Sequence, residues 1–486
     1  MKLPKSSVSD VVSIFSDLDV GDPRRTSRVQ ATVAKLAANP TATFPSAMGS
    51  EACIEGGYRL MNSRHITMAK LNEAHAQRTA EQARAYTRVL AIHDTTTCKF
   101  PHADASTVGY LNTGKAGFMV HYTLVVAGDC SRRPLGVSNV EVIARSKAPA
   151  RRKAKGRSNA KKPAHSTAKN KDRESKRWDR GFQSTSACLQ GTPVIHVADR
   201  EGDNYDLFAR ALMRGERFVV RARVLDRNVE TDEGKEPLAS VVESCSTELV
   251  RDVDLAPRKA AAAPQAAATH PARRARNARL HVSATRVTLP RPSYCDKSLP
   301  ASIELNVVRV YEPKPPRGQE PIEWVLYTTE PVSSASDVVD IVDIYRARWL
   351  IEECNKAIKT GCRYQERQFE SRDALLVLLA MTLPIACELL KLRASCRADP
   401  HHPAASILNP VQLRVLAALG SRPLPNNPTV RDSLWAIAGL GGHMKCNGEP
   451  GWQVLYRGME KLLAYEKGWR AARRTPQKTG GLPISR

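Results

Sequence analysis

Short apolar segments spread between residues 89 and 329 constrain this chain more than any other feature. They are Val89–His93, Gly117–Gly128 (GFMVHYTLVVAG), Pro134–Arg145 (PLGVSNVEVIAR), Pro193–Ala198, Arg217–Arg221 and Trp324–Thr329. Each is short, dominated by apolar residues and bounded by polar or turn-forming residues, the pattern of a buried strand. A helix predicted over Tyr205–Met213 falls between two of them. Strands alternating with a helix make a mixed α/β core, with the change of period placed near residue 76.

The two ends follow a different spacing. Residues 1 to about 75 read as short helices: Val11–Leu18, then Arg28–Leu36 after the turn Gly21-Asp-Pro-Arg-Arg-Thr26, then Ala52–Met61. Pro23 beside Asp22 and Thr26 suits a helix start, where the helix dipole also favours a phosphate near Arg24, Arg25 and Arg28. Residues 371–486 are again helical, with Ala374–Leu392 strongly apolar and Val454–Ala464 amphipathic. Between about 223 and 322, strands such as Leu280–Leu289 and Ile303–Val310 predict a β-rich insertion, interrupted by an Ala/Arg-rich stretch at 256–278.

Charge narrows the partners. The chain carries 74 Lys+Arg against 49 Asp+Glu, a net +25. Nucleic acid is the default partner at that balance, and a merely basic coat is the plainer alternative. Residues 145–180 hold fifteen Lys/Arg and three Asp/Glu, nearly half of the net charge. Small and polar residues fill the remainder, so this stretch reads as a flexible basic loop rather than core. No apolar run is read here as approaching the roughly 20 residues of a membrane span, and no membrane partner is expected. The N-terminus lacks the apolar centre of a signal peptide. Eleven cysteines with no CxxC pair argue against a zinc module or disulfide framework and for a reducing cytoplasm.

Three carboxylates stand out by position. Asp94 ends one predicted strand, Asp199 ends another, and Glu352 lies on a helix predicted from about Ser334 to Lys359. Taken singly, an Asp at a strand end is what a turn or helix cap uses. At about 100° per residue, Tyr345, Arg348, Glu352, Lys356 and Lys359 share a helix face roughly 80° wide. A solvated face with internal ion pairs is the plain reading of that pattern. The sharper one is a carboxylate that holds a divalent metal while its cationic neighbours grip phosphate. Strand ends at one sheet edge are where α/β folds place their sites. Three carboxylates gathered there repel unless cations bridge them. Two Mg²⁺ ions (Mn²⁺ as the substitute) about 3.5–4 Å apart would clamp an in-line phosphoryl displacement. All-oxygen ligands fit those ions better than zinc.

Several longer segments carry a family resemblance. GDPRRTSR (21–28), AIHDTTT (91–97), ADREGDNY (198–205), ERFVVRAR (216–223), EWVLYTTEP (323–331), IVDIYRARWLIEECNKAIKTG (341–361), LWAIAGLGGHM (434–444) and Gly451-Trp452 together resemble the DDE transposases of the insertion-sequence-four group. Their YxxRxxxExxxxxxK signature is met by Tyr345, Arg348, Glu352 and Lys359. The resemblance implies a ribonuclease-H-like catalytic core at 76–370 containing the β-rich insertion. A helical DNA-end-binding domain at 1–75 and a helical dimerisation domain at 371–486 would flank it. It implies Asp94, Asp199 and Glu352 as catalytic metal ligands and Trp324 as the platform for a flipped base, with core packing as the alternative for that indole. Tyr345 and Arg348 would hold the backbone beside that base, and Lys356, Lys359 and Arg221 would contact further phosphates. Arg24, Arg25 and Arg28 would touch the transposon end.

The activity so implied is cut-and-paste transposition. A homodimer would pair two terminal inverted repeats, cleave them and join them to target DNA. A metal-dependent nuclease without strand transfer, or a silent DNA-binding relic, are the alternatives. Glu353 points about 100° from Glu352 and is not read as a ligand. His93 and His196 alternate to the other side of their strands and read as packing residues, while Glu201 and Asp203 are candidates to support Asp199. The basic stretch at 145–180 is longer and more basic than the family pattern, and 256–278 has no counterpart in it.

Overall fold

The computed structural model describes residues 5–147, 174–231, 234–255, 272–398, 400–420, 423–444 and 450–474. Most of the basic stretch and of the Ala/Arg-rich stretch, with the loops expected there, lies outside the described residues.

The N-terminal part is helical: α1 (Lys5–Ser13), α2 (Pro23–Ala38), α3 (Phe44–Met48), α4 (Glu51–Met61) and α5 (Met68–Ala83). Asp22 caps α2 by accepting from the Arg24 amide, and Pro23 opens the helix where a missing N–H costs nothing. Two expectations are corrected here. The helix read over Val11–Leu18 instead ends at Ser13; Phe15 and Leu18 continue the buried stripe from a turn. The boundary near residue 76 falls inside α5. That helix buries Leu71, His75, Thr79 and Ala83 at four-residue spacing, so two polar residues occupy its inward face and hide its period from the sequence.

Among the described residues, one eleven-stranded mixed sheet forms the centre. Its strands are β1 (Val89–Lys99), β2 (Gly117–Ala127), β3 (Pro134–Ile143), β4 (Val194–Ala198), β5 (Arg217–Arg221), β6 (Asn228–Thr231), β7 (Gly234–Pro237), β8 (Leu249–Leu255), β9 (Arg276–Pro290), β10 (Ser302–Tyr311) and β11 (Glu323–Thr328). The order is β3-β2-β1-β4-β5-β11-β10-β9-β6-β7, with β8 also on β9. β1, β4 and β5 run parallel, and the other pairs are antiparallel. The strands of the insertion therefore extend the central sheet through β11, which pairs with β5.

The remaining helices are α6 (Ala105–Val108), α7 (Arg177–Cys188), α8 (Tyr205–Met213), α9 (Leu238–Ser244), α10 (Ala335–Ala347), α11 (Trp349–Lys356), α12 (Arg372–Ala398), α13 (Pro410–Leu419), α14 (Val430–Leu440) and α15 (Trp452–Arg474). Side chains alternate across the strands and sort into two cores. Leu90 and Ile92 of β1 and Ile195 and Val197 of β4 face Ile351, Cys354 and the apolar side of α12. Ala198, Phe218 and Val220 face Trp178, Phe182 and Phe208 of α7 and α8. At the C-terminal end, Leu416, Ile437, Met459 and Leu462 join α13, α14 and α15. Gly441 and Gly458 let α14 and α15 touch: a Cβ on Gly458 would lie 1.7 Å from the Ile437 carbonyl oxygen.

α12 corrects another reading. Arg372–Lys391 does have the length and apolar composition to cross a membrane, but 83% of that stretch is buried inside the fold, as in a core helix. The cysteines at 53, 98, 130, 188, 245, 295, 354, 362 and 387 are all free.

Candidate active site

β1 is longer than its sequence suggested, and that lengthening makes the site. Its parallel pairing with β4 covers Val89–Ile92 alone, whereas its antiparallel pairing with β2 continues to Lys99. Asp94 therefore lies within a strand and not at its end. Thr95, Thr96 and Thr97 resemble a turn in sequence, yet as β-branched residues they sustain the strand against β2. Because β1 outruns β4, Asp94 emerges where its β4 neighbour stops, on the same face as Ile92, beneath α11.

A hydrogen bond from Asn355 and the charges of two other acids bear on the Asp94 carboxylate. The Asn355 amide donates to its Oδ2 at 2.8 Å, and the Tyr122 hydroxyl donates to the Asn355 Oδ1 at 3.0 Å. Burial, then the negative charges of Asp199 and Glu352, push the Asp94 carboxyl up to about 6. Asp199 follows β4 and accepts from the Glu201 amide at 2.9 Å, capping the short turn Arg200–Gly202. It thus does what an isolated Asp at a strand end ordinarily does, while its charge still reaches Asp94. Glu352 is partly exposed on α11 and faces the Arg348 guanidinium at 3.4 Å.

The helix expected from Ser334 to Lys359 is interrupted at Arg348 and widens into a π turn at Ala357–Gly361. Arg348 keeps helical angles (φ −50, ψ −32), so the chain continues in nearly one direction. Tyr345, Arg348 and Glu352 remain side by side. Single π turns of this kind recur at functional sites because they re-aim the residues after them. Lys359 belongs to the turn, half-buried; burial lowers its ammonium pKa, while Cys98, Asp94 and Glu352 act in the opposite direction. Lys356 is exposed, bonds Glu353 at 3.2 Å and lies 5.3 Å from the centre of the Trp349 ring.

The candidate DNA contacts beside the carboxylates come together. Trp324 on β11 meets the Tyr345 ring edge-on, with centroids 5.6 Å apart. The Arg348 guanidinium lies 6.0 Å from the Tyr345 ring centre, and Arg221 donates to the Glu323 carbonyl at 2.8 Å. Burial, opposed by the charges of Arg348 and Arg221, pushes the Tyr345 phenol up. Arg24, Arg25 and Arg28 lie instead on the first turns of α2, in the N-terminal helices. Arg25 is partly engaged there, donating to the Val20 carbonyl at 3.0 Å.

Neighbouring groups divide as follows. Glu353 is buried and ion-paired with Arg393, fastening α11 to α12. His93 and His196 hydrogen-bond to each other at 2.9 Å on the α7 side of the sheet, and burial drives the His196 pKa down to about 3. Glu201 is held by Arg177 at 2.6 Å, and the same guanidinium donates to the Thr95 hydroxyl at 2.8 Å. Arg177 thus ties the residue after Asp94 to the loop of Asp199. Asp203 does not support Asp199: it accepts from the Arg223 and Val224 amides and pairs with Arg227. Asn355, Tyr122 and Arg177 were not foreseen, since their contacts join residues far apart in sequence. Trp349, 56% exposed on α11, was also missed. A tryptophan embedded among charged residues of a helix face was its signal.

Among the described residues, no three His, Cys, Asp or Glu side chains converge tightly enough to enclose a metal ion. Glu352 contacts Arg348, and Asp199 accepts from the Glu201 amide. The chemistry of the donors nevertheless suits a hard cation. All three are carboxylates, and Asp94 has a pKa raised by burial first and then by the charges of the other two.

Residues 11–66 match the family model described as transposase DNA-binding. The matched span runs from the end of α1 to just past α4 and includes Arg24, Arg25 and Arg28. It supports a DNA-binding transposase, with DNA as the partner.

Proposed function

We propose that this chain is a cut-and-paste DNA transposase of the DDE type, with Asp94, Asp199 and Glu352 as its catalytic carboxylates. The observation that carries the reading is Asp94 itself. It is a half-buried carboxylate that feels both other acids, on a chain whose residues 11–66 match a transposase DNA-binding model. The strand order β3-β2-β1-β4-β5, with β1, β4 and β5 parallel, supports a ribonuclease-H-like core. The strands from β6 to β10 form its insertion.

Two Mg²⁺ or Mn²⁺ ions, when bound by the three carboxylates, supply an activated water and neutralise charge on the phosphate under attack. The protein's own groups do the positioning. Arg348 exchanges its contact with Glu352 for a DNA phosphate, which frees the carboxylate to turn toward Asp94. Lys356, Lys359 and Arg221 hold the flanking backbone. Trp324 offers a π-face to a nucleotide extruded from the duplex end, with Tyr345 bracing the indole from behind. Arg24, Arg25 and Arg28 grip the terminal inverted repeat through the N-terminal domain. After the first cut, the freed 3′-hydroxyl attacks the opposite strand to give a hairpin and release the flanking DNA; a second water opens the hairpin, and the regenerated 3′-hydroxyl then attacks target DNA. The C-terminal helices 371–486 pair two such complexes as a homodimer, and exposed Tyr465 and Trp469 on α15 are the candidate contacts. The expected compartment is the bacterial cytoplasm, on the nucleoid.

The test uses the full chain, Mg²⁺ and linear DNA bearing the short inverted repeats that flank its reading frame. The reading expects cleavage at the repeat boundary, hairpin ends and joined target products. Cutting without end pairing or joining assigns a nuclease instead, and binding without cutting assigns a silent DNA-binding protein.

A further inference from the structure

We infer that Asn355, braced by Tyr122, is the positioning residue that holds the Asp94 carboxylate in the orientation in which it takes a cation, and fixes Asp94 relative to Glu352. The inference rests on the reading of Asp94 and Glu352 as cation-holding carboxylates. Asp94 and Tyr122 are direct partners in the β1–β2 register. The fully buried Tyr122 side chain passes beneath α11, where its hydroxyl donates to Asn355 Oδ1 at 3.0 Å and lies 3.4 Å from the Ile351 carbonyl. The other end of the same amide donates to Asp94 Oδ2 at 2.8 Å. The contact closes a loop from strand to strand to helix and back to the strand.

The geometry fixes the orientation of the amide. Turned over, Asn355 would present a carbonyl oxygen to a carboxylate oxygen, two acceptors with no proton between them. Asn355 is only 9% exposed, so water is poorly placed to repair the mismatch. As oriented, it donates to Oδ2 and fixes the plane of the Asp94 carboxylate. The donor is also neutral. A lysine in its place would neutralise Asp94 and compete with a cation, whereas an amide orients the carboxylate and leaves its charge whole. Asn355 follows Glu352 by three residues, so both project from neighbouring points of one helix face. A shift of α11 would move Glu352 and the Asp94 clamp together.

The test compares full-length wild type, Asn355→Leu, Asn355→Asp and Tyr122→Phe. Mn²⁺ binding to the protein without DNA is read by electron paramagnetic resonance. The Mg²⁺ concentration for half-maximal end cleavage, DNA-end affinity by gel shift and melting temperature are measured in parallel. Groups that orient metal ligands typically change affinity 10- to 100-fold. Asn355→Leu is expected to weaken Mn²⁺ binding about 10-fold and to raise the half-maximal Mg²⁺ concentration by the same factor. Asn355→Asp, which sets a second carboxylate against Asp94, is expected to lose more, and Tyr122→Phe about 3-fold. End affinity should stay unchanged, and high Mg²⁺ should restore most cleavage. Should Asn355→Leu fail to fold, Tyr122→Phe and Asn355→Asp carry the comparison. Unchanged Mn²⁺ affinity in the folded variants overturns the inference, and so does a loss of binding and cleavage that merely follows melting temperature. A wild type that neither binds Mn²⁺ nor cleaves fails at the earlier reading, not at Asn355.

Discussion

Replacing Asp94 by Asn is expected to remove activity and yet make the metal-free protein more stable. Asp94 is half-buried beside the charges of Asp199 and Glu352, and burial first, then those charges, raise its carboxyl from 3.8 to about 6; hydrogen bonds from the Thr95 backbone and the Asn355 side chain offset only part of that cost. The sign follows from proton linkage. Between pH 3.8 and about 6 the folded state holds the Asp94 proton that the unfolded state has released. Stability therefore falls as pH rises through that window, and above it the folded state bears the full cost of the charge. At 1.36 kcal/mol per pH unit the interval amounts to about 3 kcal/mol. An Asn at position 94 is neutral and can still accept from the Asn355 amide. Urea unfolding at pH 7.5 without divalent ions should find Asp94→Asn more stable by up to about 3 kcal/mol, with the gap closing toward pH 4. Mg²⁺ should narrow the gap from the other side, because it stabilises only the site that binds it. A less stable variant at pH 7.5, or a gap of equal size at pH 4 and pH 7.5, would refute the electrostatic reasoning.

Other consequences are equally open to measurement. Deleting Lys147–Lys171 should weaken sequence-independent DNA binding and flatten its dependence on salt, since fewer counterions are released; an unchanged salt slope in fluorescence anisotropy would contradict that role. Trp324→Ala should slow hairpin formation by roughly 10- to 100-fold, from a stacking contribution of about 1–3 kcal/mol, while initial nicking suffers much less. Equal loss of both steps with a lowered melting temperature would return Trp324 to core packing against Tyr345. Replacing exposed Tyr465 and Trp469 together by Glu should leave single-end binding intact and abolish paired-end complexes in light scattering. Paired complexes from that variant would move the dimer contact elsewhere.

Sequence pattern reached some elements to the residue and missed others for identifiable reasons. The helix Tyr205–Met213 and the strand Arg217–Arg221 appear as read, because turn formers bracket both. α5 as a whole is not legible in the sequence, because His75 and Thr79 hold buried positions that a period count expects to be apolar. β1 was cut short at Asp94 because a run of threonines looks the same in a turn and in a strand; the partner β2 decides, and it lies in another part of the chain. The charged face of Tyr345, Arg348 and Glu352 was legible because helix geometry alone brings those residues together. The interruption at Arg348 and the π turn after Lys356 carry no proline or glycine signal at their start. Asn355 could not be singled out from sequence. Its meaning depends on Asp94, which is 261 positions away, and no local rule connects them.

The central claim divides the labour: three carboxylates perform the chemistry, and arginines, lysines and aromatic residues hold the DNA. Its most direct test measures end binding and end cleavage on the same preparations of Asp94→Ala, Asp199→Ala and Glu352→Ala, in Mg²⁺ and with wild type alongside. Phosphate contacts position DNA independently of the cutting step, so each variant should shift the terminal-repeat DNA with nearly wild-type affinity and yield no cleaved strand. Substantial cleavage by any one of them would remove that carboxylate from the site.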